Sequence, residues 1–258
     1  MILICPICKN ELKRIENSYR CLNKHNFDIA RQGYLNLNHS TQHGGDSKDS
    51  IEARNHFLNN KHYDFLKEEI IKIINEYKPN SLLDLACGQG YYTKDFPVKN
   101  KIGIDLSKDA LKNASRNDKN TLYLLDTIFN LPIESNSVDI ITTIFAPISK
   151  EEINRTLKTN GHFIFVGPNE NHLIELKENL YSNVLKNELK DIDLSPLKLI
   201  KKYSINKKES LMHDDIISLL KMTPYFYKTS KEDIKKIDEL DKLDITFDFI
   251  ISIYEKQY

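Results

Sequence analysis

The sequence predicts an α/β fold: a parallel sheet covered by helices, with a small metal-binding module ahead of it. Three observations carry that reading. Residues 82–92 read LLDLACGQGYY, an apolar run that ends in a glycine-bearing turn. A second apolar run, KIGIDL at residues 101–106, follows, and strand-like and helix-like stretches then alternate as a parallel sheet requires. Near the start, residues 5–25 carry C-x2-C-x12-C-x3-H.

At 258 residues the chain can bury one sizeable core plus a small module. No run approaches the roughly 18 apolar residues of a membrane span. The first five residues, MILIC, lack the charged start and length of a signal peptide, so a cytoplasmic protein without membrane contact is expected. Lys+Arg and Asp+Glu both number 37, and overall charge gives no support to nucleic-acid binding. Residues 1–45 hold six basic against three acidic side chains, too small an excess to define a basic face.

Cys5, Cys8, Cys21 and His25 have the spacing of a metal site: one tight knuckle gives two thiolates and a second turn completes a tetrahedron. Four protein ligands close the shell, which suits one structural Zn2+ and not hydrolytic zinc. Reduced cysteines with a chance histidine are the plain alternative. In FDIARQGYLNL, residues 27–37, Phe27 and Leu35 suit packing. Arg14, Arg20, Arg31 and Tyr34 suit RNA, with core packing an equal reading for Tyr34. The polar stretch HSTQHGGDSKD divides a zinc module at 1–37 from the main unit at 51–258, with 38–50 as linker. Ser50 is expected to cap a helix from Ile51 to about Asn59. A second helix over 62–77 has Phe65, Leu66, Ile70, Ile73 and Ile74 on its apolar face and ends at Pro79. Tyr63, between the two helices, reads equally as packing or as a ligand contact.

Leu82, Leu83 and Leu85 form a buried strand, and Gly88 and Gly90 break it in a turn that lets backbone approach a ligand. The third position of a dinucleotide fingerprint is Thr93 here, not glycine. Asp84, costly inside an apolar strand, suits an ordered N–H or a cation such as the sulfonium or ammonium of S-adenosylmethionine (SAM). Asp105 ends the second strand, where an acidic side chain can accept both ribose hydroxyls. A glycine turn with a structural aspartate is the plain alternative. D-x-x-x-G-x-G-Y followed by I-D-L-S resembles the class I SAM-dependent methyltransferases, which have a Rossmann-like sheet. Ala86 stands where their D-x-G-x-G-x-G has its first glycine.

Further on, a helix over 107–115 and a strand over 121–125 lead to Asp126, whose position suits an adenine amino group, as do the backbones of Thr127 and Ile128. A strand over 138–145, a helix over 150–157, a turn at 158–161 and a strand over 162–166 follow. Neither N-P-P-Y nor a Pro-Cys nucleophile stands after the 138–145 strand, and Cys87 lies in the glycine turn, so direct in-line transfer is expected. His172 falls on the first turn of a helix over 168–181, where it either holds a carboxylate or caps the helix. Strands over 195–205 and 245–255, with a helix over 213–221, complete the sheet as an antiparallel pair.

The combined motifs resemble a narrower family, the zinc-containing RlmA and tylosin-resistance methyltransferases that modify guanine N1 in a hairpin of 23S ribosomal RNA. They are CPxC…NSYxC…H, FDxAxxGYxNL, GDS at 45–47, HY at 62–63, CGxGYYT at 87–93, PxxxHLxELK at 168–177 and MTP at 222–224. The resemblance implies zinc on Cys5, Cys8, Cys21 and His25, and SAM contacts from Tyr63, Gly88, Gln89 and His172. It also implies a 23S rRNA hairpin as partner, gripped by the zinc module, and a homodimer. Ala86, Phe145 in place of a common tyrosine, and Thr159 in place of a proline depart from the family pattern. Two other functions compete: a small-molecule methyltransferase with the zinc ribbon as lid or dimer element, and a non-catalytic RNA-binding module.

Overall fold

The computed structural model describes residues 1–38, 47–188 and 192–257. Most of the expected linker, residues 39–46 with Gly45 and Asp46 of the G-D-S motif, lies outside the described residues. The metal module forms a three-stranded antiparallel sheet of β1 (Lys13–Ile15), β2 (Ser18–Arg20) and β3 (Asn26–Asp28). Its short strands bury Phe27, Leu12, Cys5 and Cys21, and these side chains join the same core as Leu83, Ile104 and Leu124 of the main sheet. A module this small cannot close a core alone, and it borrows the sheet's.

The chain then contributes β4 (Leu35–Asn36), a strand the sequence reading did not anticipate. Helices α1 (Lys48–Asn59) and α2 (Asp64–Tyr77) follow, then β5 (Ser81–Leu85), β6 (Asn100–Asp105), α3 (Lys108–Asn117), β7 (Leu122–Leu125) and β8 (Val138–Ile144). After these come α4 (Lys150–Thr156), β9 (Leu157–Pro168), α5 (Ile174–Leu180), β10 (Leu197–Met212) and α6 (His213–Lys221). The short α7 (Tyr225–Lys228), α8 (Lys231–Asp238) and the long β11 (Lys242–Lys256) end the chain.

The main sheet has eight strands in the order β10-β11-β9-β8-β5-β6-β7-β4. Strands β4 to β9 in it run parallel, and β10 and β11 form the expected antiparallel pair. Because β6 and β7 build outward from β5 on one side and β8 on the other, the strand order reverses at β5/β8. That reversal leaves a crevice beyond the carboxyl ends of the strands, the ligand-binding position of open α/β sheets.

Several element boundaries differ from expectation for identifiable reasons. Helix α1 starts at Lys48 and not at Ile51, because Ser47 is the cap: its hydroxyl accepts the Ser50 N–H at 3.1 Å. Ser50 instead donates its hydroxyl to Lys221 O. Helix α2 starts at Asp64 and not at residue 62, since Lys61 takes φ 65° and turns the chain. The expected turn at 158–161 lies inside β9, which resumes pairing with β8 after a register shift. The helix expected over 168–181 is confined to Ile174–Leu180, since Asp248 holds the residues before it in a turn: it accepts from Asn169 Nδ2 at 3.0 Å and from the Asn171 N–H at 3.2 Å.

Ala86 lies in the left-handed region at φ 55°, where its Cβ costs an L-residue about 1–2 kcal/mol. Ala86→Gly is expected to raise the urea midpoint by the equivalent of about 1 kcal/mol without changing the slope. A lowered midpoint would contradict the assignment of strain to that residue.

Candidate active site and metal centre

The sulfurs of Cys5, Cys8 and Cys21 and Nδ1 of His25 all lie within 4.8 Å of one another. Cys8 Sγ is 3.6 Å from Cys21 Sγ, and His25 Nδ1 is 3.5 Å from Cys5 Sγ and 3.4 Å from Cys21 Sγ. Tetrahedral zinc with Zn–S near 2.3 Å and Zn–N near 2.0–2.1 Å would set S–S edges of about 3.8 Å and S–N edges of about 3.5 Å. The donor set fits. It does not fit disulfides, whose sulfurs stand about 2.05 Å apart. Hydrogen bonding, first from the Asn10 backbone, lowers the Cys8 thiol to about 6, whereas burial raises that of Cys5. Among residues considered for RNA, Tyr34 is buried and packs with Leu111 and Tyr123, so its core reading holds. Arg14 and Arg20 remain on exposed hydrogen bonds to Glu16 O and Asn26 Oδ1.

The crevice is built around two aspartates with different tasks. Asp84 is enclosed in β5, and its carboxylate accepts from the hydroxyls of Thr93 and Thr142. Its partners within the protein are therefore hydroxyls. Burial raises its pKa to about 6. Asp105 at the end of β6 accepts the Gly88 N–H and the Ser107 N–H, both at 2.7 Å. The first of these bonds fixes the glycine turn to the end of β6.

Gly88 sits at φ 56°, and a Cβ there would meet nothing within 4 Å, so the turn faces open space. At Gly90, φ 74°, a Cβ would collide with the Tyr123 hydroxyl, so this second glycine serves packing. Asp126 is buried beyond β7; Oδ1 accepts the Thr127 N–H, while Oδ2 has no partner. Burial raises its pKa to about 6. An orphaned buried carboxylate oxygen and an open glycine turn flanking Asp105 fit an adenosine moiety.

Tyr63 and His172 converge on the other wall. Tyr63 is buried edge-on against Phe57, Phe247 and Phe249, with ring centroids 5.1–5.3 Å away, and burial raises its pKa. Phe145 lies 6.1 Å from Tyr63 and is stacked at 13° and 6.4 Å with His172. His172 does not cap α5; Leu173 occupies that position, and His172 Nδ1 accepts the Asp248 N–H at 3.3 Å. The ring is thereby kept neutral on that nitrogen. Burial, and then the nearby Lys177 charge, lower its pKa to about 3.

Sequence reasoning missed two residues here. Tyr92 has a buried hydroxyl with no partner, and a second tyrosine in Y-Y-T was its only signal. Asn187 donates to Asn169 O at 2.7 Å and accepts from buried Lys177 at 2.6 Å, pinning the chain after α5 to the turn that carries His172. Nothing local in the sequence marks it.

A parallel sheet of this order, with an aspartate-anchored glycine turn and a Cys3His module in front, defines a class I SAM-dependent methyltransferase carrying a zinc ribbon. The family described as RlmA, N-terminal, matches residues 3–38, and the family described as Methyltransferase domain matches residues 83–165. The 23S rRNA (guanine(748)-N(1))-methyltransferase of Streptomyces fradiae is 30% identical over 188 residues, 69% of this chain and 67% of the relative. YxjB of Bacillus subtilis (strain 168), provisionally named a 23S rRNA (guanine-N1)-methyltransferase, is 28% identical over 96% of this chain and 95% of its own. Among solved structures, one from Galdieria sulphuraria, provisionally described as a sarcosine dimethylglycine methyltransferase, shares the fold. Its TM-score is 0.52 at 15% identity, covering 81% of this chain and 99% of that one. The chain belongs to the RlmA-type family of 23S rRNA (guanine-N1)-methyltransferases.

His172 gives a test of the site's electrostatics. A ring that titrates near 3 when folded and near 6.5 when unfolded binds fewer protons in the folded state between those values. Its contribution to stability is therefore present above about pH 6.5 and lost as pH falls toward 3. The stability of the wild type minus that of His172→Gln should rise with pH from 4 to 6.5, by up to about 1.4 kcal/mol per unit. Chemical denaturation across that range checks it, and a pH-independent difference would contradict the buried neutral ring.

Proposed function

We propose that this chain transfers the methyl group of SAM to N1 of a guanine in a 23S rRNA hairpin, as a cytoplasmic enzyme. The observation that carries the reading over a small-molecule acceptor is the position of the zinc module. Lys9, next to Cys8, donates to Asn130 Oδ1 at 3.1 Å, in the loop that follows Asp126. The metal knuckle thus borders the crevice, where it can hold RNA while the reacting base enters.

Gly88, Gln89 and Asp105 would receive the adenosine end of the cofactor, with Asp126 accepting from the adenine amino group. Tyr63 and His172 would bound its methionine end. SAM supplies an electrophilic methyl on sulfur; the guanine N1 electron pair forms the new C–N bond as the C–S bond breaks, and the N1 proton leaves to solvent or a base. Proximity and alignment supply much of the rate. Guanine N1 is paired in a duplex, so the base must be exposed first.

Phe145 suits reception of that base. It is 41% exposed, directly follows β8, and holds φ 56°, a strained value for a bulky side chain. Its ring would stack on the guanine and, lacking a hydroxyl, move no proton. The reading extends to a homodimer in which two zinc modules embrace one hairpin.

Purified, zinc-loaded protein incubated with methyl-labelled SAM and the hairpin should yield labelled 1-methylguanosine on nuclease digestion. Labelling of no nucleoside would overturn the reading. Phe145→Ala should lower kcat/KM for RNA about 10- to 100-fold while SAM affinity holds, the size of base–aromatic stacking. An unchanged kcat/KM would remove Phe145 from base recognition.

A further inference from the structure

The two residues flanking Tyr63 are tied to different elements of the fold. His62 is 7% exposed and its ring packs 4.6 Å from that of Phe57. Its Nδ1 lies 3.2 Å from Glu209 Oε1 on β10, and its Nε2 lies 3.3 Å from Asp215 Oδ2 on α6. Both nitrogens thus lie close to a carboxylate oxygen without an aligned hydrogen bond.

Both carboxylates are themselves held in place. Asp215 accepts from Asn60 Nδ2 at 2.7 Å and lies 3.6 Å from His56 Nδ1; Glu209 pairs with Lys207 at 2.8 Å. On the other side of Tyr63, Asp64 accepts the Tyr91 hydroxyl. Lys67 pairs with both Asp64 and Asp95 at 3.1 Å and lies 4.4 Å over the Tyr91 ring. Burial opposes ionisation of Asp64, but the hydrogen bonds from Tyr91 and Lys67 outweigh it and lower its pKa. Tyr91 belongs to the glycine turn.

We propose that His62 and Asp64 are positioning residues for the cofactor, which clamp Tyr63 between the β10/α6 wall and the glycine turn. The proposal rests on the reading of Tyr63 as a cofactor contact. Exposed ion pairs contribute little, but a ring shut away from water between two carboxylates is different, because removing it strips both of the polar group that lies against them. Aromatic packing against Phe57, Phe247 and Phe249 buries the Tyr63 ring without fixing its height along the crevice. The two polar ties, from adjacent residues to different elements of the fold, supply that constraint.

The test measures SAM affinity by calorimetry, RNA-hairpin affinity and thermal melting for His62→Gln, Asp64→Asn, Tyr91→Phe and Tyr63→Ala. His62→Gln and Asp64→Asn should each weaken SAM about tenfold, seen also as a raised KM for SAM with kcat held and RNA affinity unchanged. Tyr91→Phe, which removes one hydroxyl far from His62, should act in the same direction and keeps the test open if a buried-charge variant fails to fold. In the Tyr63→Ala background, His62→Gln should cost nothing more, because its effect passes through the missing ring. An equal loss in both backgrounds, or folded variants that bind SAM as the wild type does while Tyr63→Ala is weakened, would overturn the clamp alone. Wild-type SAM affinity in Tyr63→Ala would instead overturn the reading of Tyr63.

Discussion

The crevice depends on one buried carboxylate. Asp84 sits inside β5 and takes hydroxyl hydrogen bonds from Thr93, beyond the glycine turn, and from Thr142, on β8. It thereby joins the three segments that meet where the strand order reverses. An unpaired carboxylate in that strand would be prohibitive, and two hydroxyl donors make it tolerable while leaving its pKa raised. One strand away Asp105 ties the turn by accepting the Gly88 N–H. Between them the turn has a fixed shape before any ligand arrives, and the open face at Gly88 is a consequence.

The metal module is built into this arrangement. Cys5 and Cys21 lie in the same core as the main sheet, and Leu35 and Asn36 extend that sheet by pairing with Leu124 and Leu125. Isolated pairing of Leu3 with Ile133 adds a second seam. The Cys3His site therefore packs in the same core as β6, which ends in Asp105, and β7, which Asp126 follows. The metal module and the sheet beneath the crevice thus share one hydrophobic core.

Much of this was legible because the signals are local. Apolar runs marked β5 to β9, the Cys and His spacing matched the observed cluster, and α6 falls on residues 213–221 as read. Gly88 meets Asp105, and Tyr63 and His172 both pack on Phe145 and Phe249, while Gln89 adjoins Gly88 in the turn. What escaped was set by partners distant in sequence. A two-residue strand such as β4 has no period to detect. The role of His172 is decided by Asp248, 76 residues away, and that of Asn187 by the turn it crosses. Ser47 caps α1 although Ser50 carries the same chemistry, because Ser50 is committed to Lys221. His62 likewise acquires meaning only when β10 and α6 fold back upon it.

The most direct test of the whole account is mass spectrometry of nuclease-digested 23S rRNA from cells with and without this gene. The account predicts the loss of one 1-methylguanosine from a hairpin fragment when the gene is absent. An identical modification pattern in the two RNAs would contradict it and direct attention to small-molecule acceptors.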